Sequence, residues 1–369
     1  LTEFENHDFN KRDADTLEKQ LVSHNCVPVF PRPKDRNLYH HGFARNTLWP
    51  LFHYFTENVS YSEESWKAYV KVNRMFAEKI LEFIEDGDIL WIHDYHLMLL
   101  PEMIRKVKPG VSIGFFIHVP FPSYEIFRLL PWRQDVIEGI LGADLIGFQT
   151  YDYVRHFMSS VRRLLGVDSV FNRISIGERT LKVDVFPKGI NYDRFRNKAL
   201  AIHNETSPPS VIQQEMKEFK ESGNIEKLII SIGKLDYTKG IPIRLKAFER
   251  FLESYPEYQG RVSLIVQAIP SGETSEHFDR LKSQVDELVG RVNGNYSTIT
   301  WTPVRYLNQV FDMDERCELY SLSDIALILP IRDGMNLVSK EFVASRYNGE
   351  GVLILSELDG ASKELHEAL

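Results

Sequence analysis

The chain has 369 residues, of which 43% are hydrophobic and 26% are charged, proportions typical of a globular protein. A net charge of −8 argues against a general nucleic-acid binder. Two distant cysteines, Cys26 and Cys317, argue against a disulfide framework and predict a reducing, cytoplasmic location. The sequence has no run of about 18 apolar residues, so no membrane span is predicted.

Short apolar runs alternate with amphipathic segments, a pattern that predicts parallel sheets with helices on both faces. The predicted strands are residues 88–93, 112–118, 145–148, 183–186, 227–232, 262–267, 298–301, 325–329 and 352–356. The predicted helices are residues 98–107, 124–141, 241–254, 277–292 and 314–321. We therefore expect an α/β fold.

A polar stretch at residues 197–224, which contains Pro208–Pro209, is the best candidate for a linker. It divides the chain into two predicted domains, 1–204 and 205–369. The pattern favours two doubly wound domains that face each other across a cleft. Ligands are then expected at the carboxyl ends of the strands.

The segment IRDGMNLVSKEFVA, residues 331–344, follows a predicted buried strand and opens an amphipathic helix. Free N–H groups at the start of such a helix, around Gly334 to Val338, favour an anion. Leu337 and Glu341 are four residues apart, so the carboxylate lies one turn deeper on the same face. A diphosphate at the helix start with a carboxylate below it suits a nucleotide-sugar. An ordinary strand–loop–helix connection explains the segment equally well.

Two further motifs place polar side chains after predicted strands of the first half. In WIHDYH, Asp94 either orients sugar hydroxyls or caps the following helix. In FFIHVPFP, His118 follows a buried strand and precedes two prolines, which favours a fixed side chain at a sheet edge. A lone histidine in this position is more often structural.

In the second half, SIGKLDYTKGIP places Lys234 and Lys239 around a strand-to-helix turn, where both could reach a diphosphate. A solvated charged loop is the alternative. The acidic pairs at residues 13–15 and 312–314 do not directly follow hydrophobic strands, so they are interpreted as surface, with Asp312 or Asp314 as a helix cap. The twelve histidines show no metal-ligand spacing, and no metal site is predicted.

Taken together, the motifs resemble the trehalose-6-phosphate synthase family, retaining glucosyltransferases with two facing Rossmann-like domains in the GT-B architecture. Nine matching blocks occur in family order along nearly the whole chain. They are LWPLFHY, WIHDYHLMLLPEMIR, IGFFIHVPFPSYEIFRLLP, DLIGFQTYDYVRHF, VFPKGI, LDYTKGIP, WTPVRYLNQ, RDGMNLVSKEFVA and GVLILSELDGASKEL.

This resemblance implies that glucose passes from UDP-glucose, or another nucleotide-glucose, to glucose 6-phosphate, giving trehalose 6-phosphate. It implies an N-terminal acceptor domain, a C-terminal nucleotide-sugar domain, no metal and no cofactor. It also implies a homo-oligomer, with a trehalose-6-phosphate phosphatase domain or subunit as a further partner. The family's first strand and C-terminal tail are missing, so we expect the sequence to belong to a longer protein.

The resemblance also implies roles for individual residues. On the acceptor side the matching residues are His40, Trp49, Asp94 and Lys282. On the donor side they are Asp333, Gly334, Met335, Asn336, Leu337, Val338 and Glu341. The implied catalytic residues are Asp94, His118, Lys234, Lys239 and Asp333.

Within these sets, Asp94 and Trp49 are expected against the acceptor sugar and His118 near the transferred glucose. Lys234 and Lys239 are expected to face the donor diphosphate. The resemblance assigns glucose hydroxyls to Asp333, the diphosphate to the amides of residues 336–338, and the ribose to Glu341.

Three positions depart from the family pattern. Lys234 stands where most members have Arg, Lys282 stands where an Arg is expected to grip the acceptor phosphate, and His40 stands where Tyr is common. A lysine keeps the charge but loses the two-pronged hydrogen bonding of arginine. The departures leave two alternatives open: a catalytically silent regulatory homologue, and a transferase for another phosphorylated acceptor such as glycerol 3-phosphate.

Overall fold

A computed structural model describes residues 11–204, 208–270 and 276–369, without the side chains of residues 11–15, 276 and 277. The chain divides into two compact units, Leu1–Pro187 and Lys188–Leu369. Each unit has its own buried hydrophobic core. The boundary therefore precedes the predicted one at 204/205.

The first unit contains eight described α-helices and six strands. The helices are Lys11–Val22 (α1), Pro33–Asn37 (α2), Trp49–Phe52 (α3), Glu63–Leu81 (α4), Leu100–Val107 (α5), Tyr124–Phe127 (α6), Arg133–Ile140 (α7) and Tyr151–Leu165 (α8). The strands are Ile89–His93 (β1), Ser112–Phe116 (β2), Leu145–Phe148 (β3), Ser169–Val170 (β4), Arg173–Ile176 (β5) and Arg179–Val185 (β6). A wider π-type helix, Leu38–Leu48, leads directly into α3.

The second unit has six described α-helices and five strands. The helices are Tyr192–His203 (α9), Val211–Ser222 (α10), Ile241–Ser254 (α11), Glu276–Tyr296 (α12), Met313–Leu322 (α13) and Leu337–Ala344 (α14). The strands are Lys227–Lys234 (β7), Val262–Ile269 (β8), Val304–Leu307 (β9), Ile325–Ile328 (β10) and Val352–Leu355 (β11). None of the helices among the described residues is long and apolar enough to cross a membrane.

Both sheets are mainly or wholly parallel, as the alternating pattern predicts. In the first unit the strand order is β1-β2-β3-β6-β5-β4, and the first four of these strands run parallel. The antiparallel meander β4-β5-β6 at the far edge was not predicted. In the second unit the order β11-β10-β7-β8-β9 is parallel throughout.

Two predicted elements of regular structure are wrong. Residues 298–301 form a tight turn, in which the N–H of Thr298 donates to the carbonyl of Trp301 at 3.0 Å, and the strand comes later, at β9. The predicted helix 124–141 is two helices, α6 and α7. Pro131 separates them because proline lacks an N–H and keeps the preceding residue out of helical geometry.

The predicted linker at 197–224 is also wrong, because α9 and α10 occupy most of it. Phe195 and Ala199 form an apolar stripe on α9, and Met216 and Phe219 form one on α10; all four are buried in the core of the second unit. These short stripes lie within a polar sequence, which explains why the composition suggested a linker. Residues 205–207 lie outside the described part.

The acidic pairs are only partly described. Asp312 caps α13 in a reciprocal capping box with Glu315, as the sequence predicts. The side chains of residues 13–15 lie outside the described part of the chain.

Candidate functional site

Asp94 lies directly after β1, at the carboxyl edge of the first sheet. Its backbone has φ 71° and ψ 170°, a region that a non-glycine residue enters only under strain. Two hydrogen bonds hold it there: its N–H donates to the carbonyl of Phe116 at 2.7 Å, and its Oδ1 accepts the N–H of His118 at 3.2 Å. Asp94 makes no side-chain cap bond to the following turn, so helix capping does not explain it.

His118 is fixed at the same edge by a second histidine. Its Nε2 lies 3.1 Å from Nδ1 of His93, and the two rings stack with centroids 5.2 Å apart. The ring of Phe116 lies 4.7 Å away on another side. One ring nitrogen of this pair must donate and the other accept, so the two tautomers are linked. The structure therefore brings Asp94 and His118 together.

Trp49 and His40 reach this region through the residues that follow Asp94. The ring of Trp49 lies 6.0 Å from that of Tyr95, and the guanidinium of Arg45 lies 4.8 Å from the Trp49 ring. The ring of His40 stacks on that of His96 at 5.8 Å. Residues 94–96 thus connect the predicted acceptor residues of the first unit.

The imidazole of His96 is a neutral packing surface. Burial, together with the nearby His40 and Arg45, lowers the pKa of His96 to about 3. Its backbone carbonyl accepts from Tyr39 and from Asn73, each at 3.1 Å. Sequence reasoning did not single out Tyr95 and His96, although both stand in the same motif as Asp94.

In the second unit, Lys239 and Asp333 form a close ion pair, with 2.6 Å between Nζ and Oδ2. Both side chains are largely buried, at 15% and 13% exposure. The Asp333 carboxylate also accepts the N–H of Gly334 at 2.9 Å and Nδ2 of Asn336 at 3.2 Å. Lys239 is therefore not the solvated loop residue that the alternative interpretation expected.

The loop that carries Lys239 has a rigid backbone. Oδ1 of Asp236 accepts both the N–H and the hydroxyl of Thr238, at 2.9 and 2.7 Å. Gly240 has φ +69°, and a Cβ there would lie 2.3 Å from the carbonyl oxygen of Leu329. Only glycine fits this position, where the loop packs against the end of β10.

Arg244 supports the same loop from below, a role that sequence reasoning missed. Its side chain is buried and donates to the carbonyl of Lys239, to Oγ of Ser231 at 2.8 Å and to the carbonyl of Ile232 at 3.3 Å. Burial lowers the pKa of Arg244 to about 10, against the raising effect of two carboxylates, so it stays charged at neutral pH. No sequence motif marks it, because it occupies an ordinary interior position of α11.

The other two predicted lysines are not members of this ion pair. Lys234 ends β7 with an exposed side chain. Lys282 lies on α12 and pairs with Asp286 four residues later at 2.6 Å. Neither forms a salt bridge with Asp333 within the described part of the chain.

The start of α14 lies beside the ion pair, because Asn336 is the N-cap of this helix. Of the three amides predicted to hold a diphosphate, that of Asn336 already donates to Oδ1 of Asp359 at 3.0 Å. The N–H groups of Leu337 and Val338 belong to the first turn, where no preceding helical carbonyl can accept them. Met335 is buried in the core. These observations leave two first-turn amides beside an ammonium group.

Glu341 lies one turn further along α14, with its side chain 12% exposed. Its Oε2 accepts the hydroxyl of Tyr320 at 2.7 Å and lies 3.7 Å from Nε of Arg316. Burial holds the pKa of Tyr320 well above its usual range, so the phenol remains a hydrogen-bond donor. Tyr320 and Arg316 therefore fix one carboxylate oxygen.

A cavity of about 640 Å³ lies at the opposite end of the second sheet. It is lined by Asp324, Ile325, Gly351 and Val352, which stand at the amino ends of β10 and β11. Lys239 and Asp333 follow the carboxyl ends of β7 and β10, so the cavity is separate from them. In the part of the chain described, no three His, Cys, Asp or Glu side chains are grouped as metal ligands.

The family model of glycosyltransferase family 20 matches residues 3–369. The chain belongs to glycosyltransferase family 20. It is 44% identical over 353 residues to alpha,alpha-trehalose-phosphate synthase [UDP-forming] A of Dictyostelium discoideum, covering 95% of this chain and 47% of that protein. It is 43% identical over 362 residues to the bifunctional trehalose-6-phosphate synthase/phosphatase of Thermoproteus tenax, covering 98% of this chain and 48% of that protein. The chain thus spans about half the length of these two relatives.

Solved structures of similar proteins confirm the α/β class and the GT-B fold. A family protein from E. coli bound with UDP-2-fluoro glucose has a TM-score of 0.86 at 35% identity, covering 92% of this chain and 74% of that one. A Burkholderia xenovorans synthase in complex with glucose-6-phosphate has a TM-score of 0.85 at 31% identity, covering 91% and 74%. The N-terminal domain of Candida albicans trehalose-6-phosphate phosphatase has a TM-score of 0.86 at 34% identity, covering 97% and 76%.

Proposed function

We propose that this chain carries the machinery for retaining transfer of glucose from UDP-glucose to glucose 6-phosphate, which gives trehalose 6-phosphate. The observation that carries the proposal is the Lys239–Asp333 ion pair beside the first turn of α14, with Glu341 one turn below. This arrangement offers the positive charge of Lys239, the N–H donors of α14, and the carboxylates of Asp333 and Glu341, which can accept from sugar hydroxyls. These groups suit the charges and hydroxyls of a nucleoside diphosphate joined to a sugar.

On the donor side, the diphosphate would lie against the N–H groups of Leu337 and Val338 and the ammonium of Lys239. A helix N-terminus favours an anion through its free N–H groups and its dipole. Asp333 would accept from glucose hydroxyls once the donor draws Lys239 toward phosphate. The second oxygen of Glu341 would accept from the ribose. Lys234 would add charge from the end of β7.

On the acceptor side, Asp94 would accept from hydroxyls of the acceptor sugar, with Trp49 beside it. His118 would lie near the transferred glucose. The guanidinium of Arg45, 4.8 Å from the Trp49 ring, brings positive charge to this side. His40 and Lys282 would contribute to acceptor binding.

The chemistry that we propose forms a bond between an acceptor hydroxyl oxygen and the anomeric carbon, and breaks the bond from that carbon to the diphosphate. Both events occur on the same face of the sugar, and the departing phosphate oxygen takes the hydroxyl proton. The protein contributes no covalent nucleophile. Lys239 and the amides of α14 stabilise the negative charge that develops on the leaving oxygen.

Because these groups supply the positive charge, we infer that transfer needs no metal. The test is UDP release from UDP-glucose by the full-length protein, with and without glucose 6-phosphate and with and without a chelator. We expect release that depends on glucose 6-phosphate and is unaffected by the chelator. No release with any nucleotide-glucose would refute the transferase proposal, and loss of release with the chelator would refute its metal-independent form.

A second candidate function is a catalytically silent domain with a regulatory or scaffolding role. Similarity to the N-terminal domain of a protein described as a phosphatase supports it, as do the departures at Lys234, Lys282 and His40. Calorimetry distinguishes the two: a silent domain binds neither sugar ligand, whereas a synthase binds UDP-glucose. If the chain transfers glucose but prefers glycerol 3-phosphate in an acceptor screen, the altered phosphate grip has changed the acceptor.

We also infer a phosphatase domain or subunit as partner, since a relative 43% identical to this chain is described as bifunctional. We further propose that the protein is a homo-oligomer located in the cytoplasm. The cytoplasmic location is supported by Cys26 and Cys317, which are both free thiols and suit a reducing compartment. Light scattering of the full-length protein tests the oligomer, and a single-subunit mass would exclude it.

A further inference from the structure

Asp359 lies directly behind the loop that carries Asp333. It follows β11 and is 1% exposed. Residues 333 and 359 pair as an isolated parallel bridge, in which the N–H of Gly360 donates to the carbonyl of Asp333 at 3.1 Å. Oδ1 of Asp359 accepts two N–H groups, that of Ala361 at 2.9 Å and that of Asn336 at 3.0 Å. One carboxyl group thus connects its own turn to the N-cap of α14.

The other oxygen of this carboxyl group is buried without a hydrogen-bond partner among the described residues. A buried carboxylate oxygen that lacks a donor is costly, and the cost falls when the group takes up a proton. Burial and the negative charge of Asp333 raise the pKa of Asp359 to about 7. Asp359 therefore exchanges its proton near neutral pH.

Charged groups on the surrounding elements both raise and lower the pKa of this carboxyl group. Asp333 raises the pKa of Asp359 and Lys239 lowers it, and the buried Arg244 also interacts with both carboxylates. On α14, Lys340 pairs with Glu364, which follows the turn that Asp359 opens, and Glu341 is held by Tyr320. Three further charged residues stand close in sequence, Arg332 next to Asp333 and Glu357 and Lys363 on either side of Asp359.

We propose that Asp359 is a positioning residue of the donor site, which it tunes by holding or releasing a proton behind the N-terminus of α14. The inference rests on the proposed function, in which the donor diphosphate lies at that helix start. The ionised carboxylate accepts the N–H of Asn336, and its negative charge opposes part of the positive field at the start of α14. The protonated form leaves that field intact for the diphosphate.

Binding and protonation are then linked. A diphosphate at the start of α14 adds negative charge close to Asp359, so it raises the affinity of Asp359 for a proton. The donor should bind more tightly at pH 6 than at pH 8, and binding at pH 7 should take up part of one proton. A purely structural cap of the turn at residues 360–363 predicts neither effect.

The test is calorimetric titration with UDP-glucose in the absence of acceptor, at pH 6, 7 and 8. UDP-glucose suits this purpose because its diphosphate has no terminal phosphate group that titrates near neutral pH. At pH 7 the titration is repeated in two buffers with different ionisation enthalpies, which measures the protons taken up. For each unit by which binding raises the pKa of Asp359, affinity should fall by up to about tenfold across this range.

The variant Asp359→Asn removes the titrating group and keeps an oxygen for the two N–H donors. Its UDP-glucose affinity should vary little with pH, and its proton uptake should fall toward zero. Asp312→Asn is the matched control, because Asp312 also caps a turn of the second unit, accepting the N–H of Glu315 at 2.8 Å, yet lies at α13. This control should keep the wild-type pH dependence. Asp359→Ser is a second neutral variant, used if the asparagine does not fold.

Two results would overturn the proposal, and they are distinguishable. If the wild type and the neutral Asp359 variant bind UDP-glucose with the same pH dependence and proton uptake, Asp359 is only a structural cap. If the folded wild type does not bind UDP-glucose at any pH, the donor site itself is wrong, and this inference fails with it.

Discussion

Glu341 gives the sharpest test of the donor assignment. Its Oε2 is held by the hydroxyl of Tyr320 at 2.7 Å, which leaves Oε1 for the ribose. In Glu341→Ala, a nucleotide loses charged hydrogen bonds that contribute about 1–3 kcal/mol together. The affinity for UDP should then fall by about 5- to 150-fold.

The same substitution has a separate effect on stability. Without Glu341, the buried hydroxyl of Tyr320 loses its acceptor, which costs about 1–3 kcal/mol of the free energy of unfolding. Glu341→Gln separates the two effects, because an amide oxygen can still accept from Tyr320 but carries no charge. We expect Glu341→Gln to have near wild-type stability and intermediate UDP affinity.

The assay is calorimetric titration with UDP, accompanied by urea unfolding of each variant. Calorimetry measures the loss of binding in folded protein, and unfolding shows whether Tyr320 is left without its acceptor. If UDP affinity is unchanged in folded Glu341→Ala, the ribose assignment is wrong, whatever happens to stability.

Three further predictions concern other parts of the chain. Asp94→Ala should abolish glucosyl transfer but leave UDP affinity within about twofold, since Asp94 is assigned to the acceptor; a large loss of UDP binding by folded protein would contradict this. Gly240→Ala should destabilise the protein by about 2 kcal/mol or more, because φ is +69° and the new Cβ meets a carbonyl oxygen. The control Gly290→Ala, in helix α12 with open space around it, should stabilise the protein by about 0.5–1 kcal/mol. Equal effects of the two substitutions in urea unfolding would refute the argument that the loop needs glycine at position 240. Burial and the negative charge of Asp333 raise the pKa of Asp359 above that of an exposed aspartate, so the folded state binds more protons than the unfolded state between about pH 4 and 7, and the free energy of unfolding falls as pH rises through this window. Asp359→Asn should remove that contribution, and an identical pH dependence of unfolding in both proteins would exclude it.

The sequence predicted most of the parallel strands because each is a short apolar run between turn residues. β3 begins and ends where predicted, and α11 does so too. Prediction from the sequence failed where the local pattern and the tertiary packing disagree. In the segment 298–301, TITW, Trp301 enters the core, where its indole N–H donates to Ser263 at 2.9 Å, whereas Ile299 is exposed and the segment forms no strand.

In the candidate site, too, the sequence predicted some residues and missed others. Motifs located Lys239, Asp333 and Glu341, because these residues stand in turns and at a helix start with a recognisable spacing. The residues that hold them were not found. Arg244 lies in the helix that follows its loop but stands in no recognised motif, whereas Tyr320 and Asp359 come from other segments that only the fold brings beside the residues they support. Partners such as Tyr320 and Asp359 have no fixed spacing in sequence from the residues that they hold.

A crystal structure of the full-length protein with UDP-glucose tests the central claim most directly. We expect the diphosphate oxygens within about 2.7–3.2 Å of the N–H groups of Leu337 and Val338 and of the Lys239 ammonium. A nucleotide bound elsewhere, with α14 and Lys239 making no contact to phosphate, would contradict the account.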